Sequence, residues 1–158
     1  MSVQPIRLRP AGHEDARPVW IWRNDPVARA ASHQTLPIPW DMHELWWKSS
    51  LGRADRILLI GEDAQGAAVG MVRFDVFNRS RWLVGIHVAP ERRGQGWGRA
   101  LLAAGLERMA TRHGATRFAA EIKEDNAASR RLFVSCGFGR AEGDLVWTLD
   151  RPAAEAAA

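Results

Sequence analysis

The chain has 158 residues, 46% of them hydrophobic, which suits one ordinarily packed core and is too little for two. A single cysteine, Cys136, excludes an internal disulfide or a multi-cysteine metal cluster, and the five histidines show no ligand spacing, so no metal is expected. The net charge of +4 and pI near 10.5 favour anionic partners, but the twenty arginines and two lysines are scattered, so a small polyanionic ligand is expected rather than nucleic acid.

The longest apolar runs, such as Ile57 to Ile60, fall far short of the roughly 20 residues that span a bilayer. Arg7 and Arg9 stand where an export signal would carry its apolar segment. These features predict a cytoplasmic protein with no membrane segment, a single domain over residues 1–150 and a frayed tail over 151–158.

In chain order, Ile6-Arg7-Leu8 alternates as a short strand, and Pro10-Ala11-Gly12 turns the chain into a helix from about Glu14 to Arg23, with Pro18 disturbing its first turns. A loop rich in Pro, Ser and Ala follows. Asp41 to Leu51 carries Met42, Leu45 and Trp46 at helical spacing and predicts a second helix. Arg56 to Gly61 and Ala67 to Asp75 flank Glu62-Asp63-Ala64-Gln65-Gly66 and predict an antiparallel hairpin. Trp82 to Val88 is the fourth strand. Leu101, Leu102, Gly105, Leu106 and Met109 then form one face of a helix that ends at Gly114. Thr116 to Ile122 is the fifth strand, Asn126 to Ser135 a helix capped by Asn126, and Asp144 to Leu149 the last strand. Together these elements predict an α/β (α+β) domain: a mixed sheet with helices on both faces.

Between the fourth strand and the long helix lies Arg92-Arg93-Gly94-Gln95-Gly96-Trp97-Gly98-Arg99. Glycines there let bare amides approach an anion, and the helix start adds the positive end of its dipole, which makes a phosphate cradle. It is not a dinucleotide fingerprint, because the third glycine comes one residue early, and no Gly-Lys pair exists to make a P-loop.

Arg93-Gly94-Gln95-Gly96-Trp97-Gly98 does fit Q/R-x-x-G-x-G/A, and with it the chain resembles the GCN5-related N-acetyltransferase (GNAT) family. Ile86-His87-Val88-Ala89-Pro90 is similar to that family's fourth strand. Asn126-Ala127-Ala128-Ser129, Leu132-Phe133 and Gly137-Phe138 are similar to its following motif. The resemblance implies a mostly antiparallel, twisted sheet splayed between the fourth and fifth strands, with acetyl-coenzyme A as co-substrate. It further implies pyrophosphate on the amides of Gly94, Gln95, Gly96, Trp97, Gly98 and Arg99, and pantetheine on the strand edge at Ile86 and Val88. Arg92, Arg93, Arg99 and Arg130 would add cations, Asn126 is either a cofactor contact or only a helix cap, and the Val88 N–H could hold an oxyanion.

Many family members place an acid tyrosine where this chain has Phe133, and the chain has no tyrosine at all. Ser135 or Cys136 is a candidate substitute, although Cys136 is first of all expected as small buried filler. The fourth strand offers no carboxylate, which leaves Glu121 on the fifth strand as the candidate base, acting through water, or as the ion-pair partner of Lys123. In the first third, Trp22-Arg23-Asn24, Arg29, Ser32, Ile38, His43 and Trp46-Trp47 resemble the branch that acetylates nucleotide-linked amino sugars, the pseudaminic acid pathway type. On that resemblance Arg29 and His43 would hold a diphosphate and Trp46 or Trp40 would stack on a base or sugar face; the alternative is that Trp20, Trp22 and Trp46 are core packing and His43 caps or packs. The alternatives are a protein N-terminus of the ribosomal-protein type, another small amine, or a catalytically weak acetyl-coenzyme A-binding module. Homodimerisation is left open.

Overall fold

The computed structural model describes residues 4–78, 81–140 and 145–152. The strands are β1 (Arg7–Pro10), β2 (Arg56–Glu62), β3 (Ala68–Phe77), β4 (Arg81–Val88), β5 (Arg117–Glu121), β6 (Gly139–Arg140) and β7 (Val146–Asp150), of which β3 and β4 carry the most β-branched and aromatic residues. These form one sheet in the order β1-β2-β3-β4-β5-β7-β6, antiparallel throughout except for the parallel β4–β5 pair. The sheet is therefore mixed and mostly antiparallel, with helices on both faces. Asp144, the expected start of the last strand, and residues 153–158 of the expected frayed tail lie outside the described residues.

The β2–β3 hairpin closes as its composition predicts. The Asp63 carboxylate accepts from the amides of Gln65 and Ala67, both at 2.9 Å, and Gly66 takes the left-handed φ of 81° that the turn requires.

Five α-helices cover the described sheet: α1 (Ala16–Asn24), α2 (Pro26–Ala31), α3 (Trp40–Leu51), α4 (Trp97–His113) and α5 (Ala127–Ser135). α4 buries Leu101, Leu102, Gly105, Leu106 and Met109, the face its spacing predicts. These side chains meet Val72, Phe74, Val84 and Phe118 on one face of the sheet, where Phe133 of α5 joins them. On the opposite face, Val19 and Trp22 of α1 and Trp47 of α3 pack on Leu58, Ile60 and Met71.

Three local expectations change. Pro18 falls at the third residue of α1, where no intrahelical bond uses its missing N–H; a 3₁₀ turn, His13–Asp15, precedes the helix. α3 forms where expected, but Met42 and Leu45 are 65% and 72% exposed, while His43 and Trp47 are each 1% exposed. The helix is rolled to that face because Trp47 Nε1 donates to the Gly12 carbonyl at 3.0 Å and His43 Nε2 lies 2.8 Å from the Ala16 carbonyl. The stretch expected as loop contains α2, whose start is the Asp25-Pro26 pair. Asp25 Oδ2 accepts from the amides of Val27 and Ala28 at 3.0 and 3.2 Å, and Pro26 opens the first turn.

Close packing between β3 and β4 sets a measurable limit. A Cβ at Gly70 would collide with the His87 backbone carbonyl and lie 2.7 Å from Leu101 Cδ1, whereas a Cβ at Gly85 meets nothing within 4 Å. Gly70→Ala is expected to cost about 1–3 kcal/mol in chemical denaturation. Gly85→Ala, on the adjacent strand, is expected to stay within about 0.5 kcal/mol of the parent.

Candidate active site

β4 and β5 pair over two rungs, Trp82 with Phe118 and Leu83 with Ala119, and then diverge. The hydrogen-bonding phase of β4 decides what the gap exposes. Ala89 N–H donates to the Val69 carbonyl at 2.8 Å, and the β3–β4 register runs unbroken from that point. Alternation then turns the amides and carbonyls of His87 and Gly85 toward β3, and those of Val84, Ile86 and Val88 toward the gap. Beyond Leu83 no β5 residue pairs with that edge. A cleft of about 500 Å³ fills the divergence, bounded by Ile86 and Val88 on one side and Glu121 on the other.

At one end of the cleft the chain leaves β4, makes a 3₁₀ turn at Pro90–Arg92 and enters α4 through the glycines. Gly94 and Gly96 take φ of 74° and 88°, values that favour glycine, and Gly96 caps the helix. The N–H groups of Trp97, Gly98 and Arg99 start α4 and have no intrahelical acceptor. The Trp97 ring is buried with Val69 and Ala100, so the turn stands on the core. Gln95 has its carbonyl bonded by Gln4 Nε2 at 2.9 Å and its own Nε2 on the Glu91 carbonyl at 3.0 Å, and Arg99 is exposed. A Cβ at Gly98 would stand in ordinary contact with Leu132 of α5, at 3.4 Å.

The cations expected beside the turn are mostly committed to carboxylates. Arg93 bonds Asp25 at 2.8 Å, Arg92 bonds Asp63 at 2.9 Å, and Arg130 stands 3.9 Å from Glu124. The Arg93–Asp25 pair pins the start of α2 to the glycine turn. Lys123 pins its other end, donating to the Ala30 and Ser32 carbonyls at 3.0 and 3.4 Å. Glu121 instead has His33 Nε2 at 4.0 Å from its carboxylate. Asn126 caps α5, accepting from the Ser129 amide at 3.1 Å, and also lines the cleft.

Side-chain alternation separates the two faces of the gap. Val84 and Ile86 pack toward α4. Gly85 and His87 point to the α1–α3 face, opposite Arg73 and Met71, and Glu121 shares that face because Phe118, Ala120 and Ile122 occupy the other. Trp46 lies on the α1–α3 face, half-buried among three guanidiniums. Arg29 and His43 are not free to grip a diphosphate. Arg29 donates to the Asn24 and Thr35 carbonyls at 3.0 and 3.2 Å, bracing the loop after α2. His43 is enclosed by Trp40, Trp46 and Trp47 and has both ring nitrogens engaged. Phe133 packs edge-on to Phe138 at 5.0 Å, and neither Ser135 nor Cys136 lines the cleft; the Ser135 hydroxyl donates to the Leu132 carbonyl at 2.6 Å. Cys136 is half-buried at the edge of the core rather than inside it.

With this geometry in hand, the model of the acetyltransferase (GNAT) family matches residues 14–138, most of the chain. The chain belongs to the GNAT family. The spermidine N-acetyltransferase of Vibrio cholerae, solved with CoA and spermine, shares the fold at TM-score 0.81 and 18% identity, over 92% of this chain and 95% of that one. A domain from Methanocaldococcus jannaschii matches at TM-score 0.79 and 24% identity, over 92% and 98%. A protein assigned as a phosphinothricin N-acetyltransferase matches at TM-score 0.75 and 25% identity, over 96% and 100%. No curated protein sequence matches.

This GNAT chain is thus an acetyl-coenzyme A-dependent N-acetyltransferase. The residues present fit that co-substrate: an open strand edge suits the amide-bearing pantetheine arm, and left-handed glycines followed by unpaired helix-start amides suit pyrophosphate. Among the described residues no cluster of three His, Cys, Asp or Glu could hold a metal, and no helix is long and apolar enough to cross a membrane.

Sequence reasoning passed over His87 and Asp25. The Asp25-Pro26 cap was visible as a helix-start signal, whereas nothing local marks His87. Burial, and then the charges of Arg23, Arg73 and Arg93, push its imidazole down to about 4, so it is neutral at pH 7. A folded value below the unfolded 6.5 means this contribution to stability is complete above pH 6.5 and is lost as pH falls toward 4. His87→Gln should flatten the stability profile between pH 6.5 and 4 by up to about 1.4 kcal/mol per pH unit, read from denaturation midpoints. Gly96→Ala forces a side chain into the left-handed region, at about 1–2 kcal/mol, and should weaken coenzyme A binding in calorimetry.

Proposed function

We propose that the chain acetylates the primary amine of a small molecule entering the gap from its α1–α3 face, with Glu121 as the base. The observation that carries this reading is that Glu121 and the open edge of Ile86 and Val88 line the same cleft from opposite strands. Glu121 takes a proton from the acceptor ammonium through a bridging water, freeing its lone pair. Bound acetyl-coenzyme A supplies the thioester, whose C–S bond breaks as the C–N bond forms. The Val88 N–H, turned into the gap, donates to the carbonyl oxygen as charge develops there. No hydroxyl stands at Phe133, so the sulfur leaves as thiolate, which a thiol pKa near 8.5 makes tolerable, and the second proton shed by the newly acylated nitrogen passes to water in the cleft. The amides at the glycine turn orient the pyrophosphate.

For the acceptor, we retain the nucleotide-linked amino sugar to which the first third of the chain points. Trp46 among arginines suits a flat, anionic ligand better than a polyamine. Release of free thiol from acetyl-coenzyme A is measured with UDP-linked 4-amino sugars, N-terminal peptides and polyamines. Turnover confined to the nucleotide sugars supports the reading, and turnover confined to peptides or polyamines overturns the acceptor. Glu121→Gln is expected to lower kcat by about 10²–10⁴ with a flattened pH profile and little change in acceptor KM. An unaltered profile removes Glu121 from the mechanism.

A further inference from the structure

The α1–α3 face of the gap holds a group of cations that the acyl-transfer scheme does not use. Arg23 of α1, Arg56 of β2 and Arg73 of β3 place their guanidinium carbons 4.7, 5.1 and 5.0 Å from the centre of the Trp46 ring. One carboxylate serves two of the three. Asp75 accepts from Arg56 Nε at 2.6 Å and from Arg73 Nε at 2.5 Å, and Arg56 also donates to the Ser50 hydroxyl at 2.9 Å.

Arg23 has no carboxylate partner among the described residues. Its Nη1 lies 3.2 Å from Nδ1 of His43, and His43 Nε2 lies 2.8 Å from the Ala16 carbonyl. A guanidinium only donates and a carbonyl only accepts, so His43 is neutral, protonated on Nε2, and takes a single bond from Arg23. Among the described residues no other hydrogen bond engages that donor fork. Burial, reinforced by the charges of Arg73 and Arg56, pushes Arg23 down to about 10, the mark of crowded cations without compensating negative charge.

The group adjoins the cleft at Gly85 and His87, which line it, while the arginines themselves stand behind that lining. Arg73 stands across from Gly85, where a Cβ would meet nothing within 4 Å, and the next residue on that face, His87, lines the cleft. Arg23 and Arg73 both act electrostatically on His87. A cationic acceptor would face like charges on this route, whereas an anion would neutralise them.

We propose that Arg23 and Arg73, stacked on Trp46, form a subsite for an anionic group of the acceptor, a carboxylate or a phosphate, so that the enzyme selects amines that carry negative charge. The proposal rests on the acyl-transfer reading above and assigns the anion to residues other than Arg29 and His43.

The test compares matched acceptors by thiol release: 2-aminoethyl phosphate against ethanolamine, and β-alanine against β-alaninamide. The anionic member of at least one pair is expected to show a kcat/KM higher by about tenfold or more, the scale of a charge-assisted hydrogen bond. A preference within the first pair assigns phosphate, and within the second carboxylate. Arg23→Gln should bring that ratio toward one by slowing the anionic member, and Arg23→Lys should keep part of it. Ratios near one in the parent enzyme, or equal losses for both members in Arg23→Gln, overturn the subsite. Calorimetric titration of the coenzyme A complex with 2-aminoethyl phosphate and with β-alanine separates the two readings. If no amine is acetylated but one of these ligands still binds in an Arg23-dependent manner, acyl transfer fails and the anion subsite stands; Arg23-independent binding, or none, overturns it.

Discussion

The site depends on a hydrogen-bonding debt left by the sheet. β4 is fully paired on its β3 side, but on the other side it meets β5 for only two rungs before the strands part. The donors and acceptors of Ile86 and Val88 are thereby left facing a cleft, at a depth where backbone groups are ordinarily matched. A ligand with amides of its own relieves that deficit. The glycine turn is the second half of the same arrangement, since β4 leads directly into it and α4 begins from it. Strand edge, turn and helix start thus form one continuous length of backbone that fits the co-substrate.

Much of this was legible in residues 82–138. The glycines, the apolar face of α4 and the Asn126 cap depend on neighbours a few residues away, and such signals survive in a linear reading. What the spacing of β4 could not say was which of its amides face β3 and which face the gap. That phase rests on the Ala89–Val69 bond, 20 residues apart in the chain. The first third misled for a similar reason. α3 turns His43 and Trp47 inward because their polar atoms find carbonyls at Ala16 and Gly12, 27 and 35 residues distant, so the apolar spacing of Met42 and Leu45 pointed to the wrong face. Arg29 and His43 looked like ligand residues for the same cause, since the carbonyls and rings that engage them are assembled only by the fold.

The two halves of the cleft are built from different materials. The cofactor half relies on backbone and on glycines, so most side chains there can change without altering what is bound. The acceptor half, as proposed, draws on side chains of α1, β2, β3 and α3, each arginine held by a neighbour: Arg23 by His43, Arg56 and Arg73 by Asp75. A frame of this kind can change its acceptor while keeping its donor. α2 joins the halves, tied to the glycine turn through Asp25 and Arg93 and to the end of β5 through Lys123.

The tryptophans give the molecule an optical property that follows from where they sit. With eight tryptophans and no tyrosine, its near-ultraviolet emission comes from indole alone. Trp97 lies beneath the glycine turn, and Trp46 lies among the guanidiniums of the opposite half. An indole's emission colour follows the electric field across its ring, so charge arriving near either one alters the spectrum. Filling of the donor half and of the acceptor half can therefore be followed in the unlabelled chain, and told apart by replacing one indole at a time with phenylalanine.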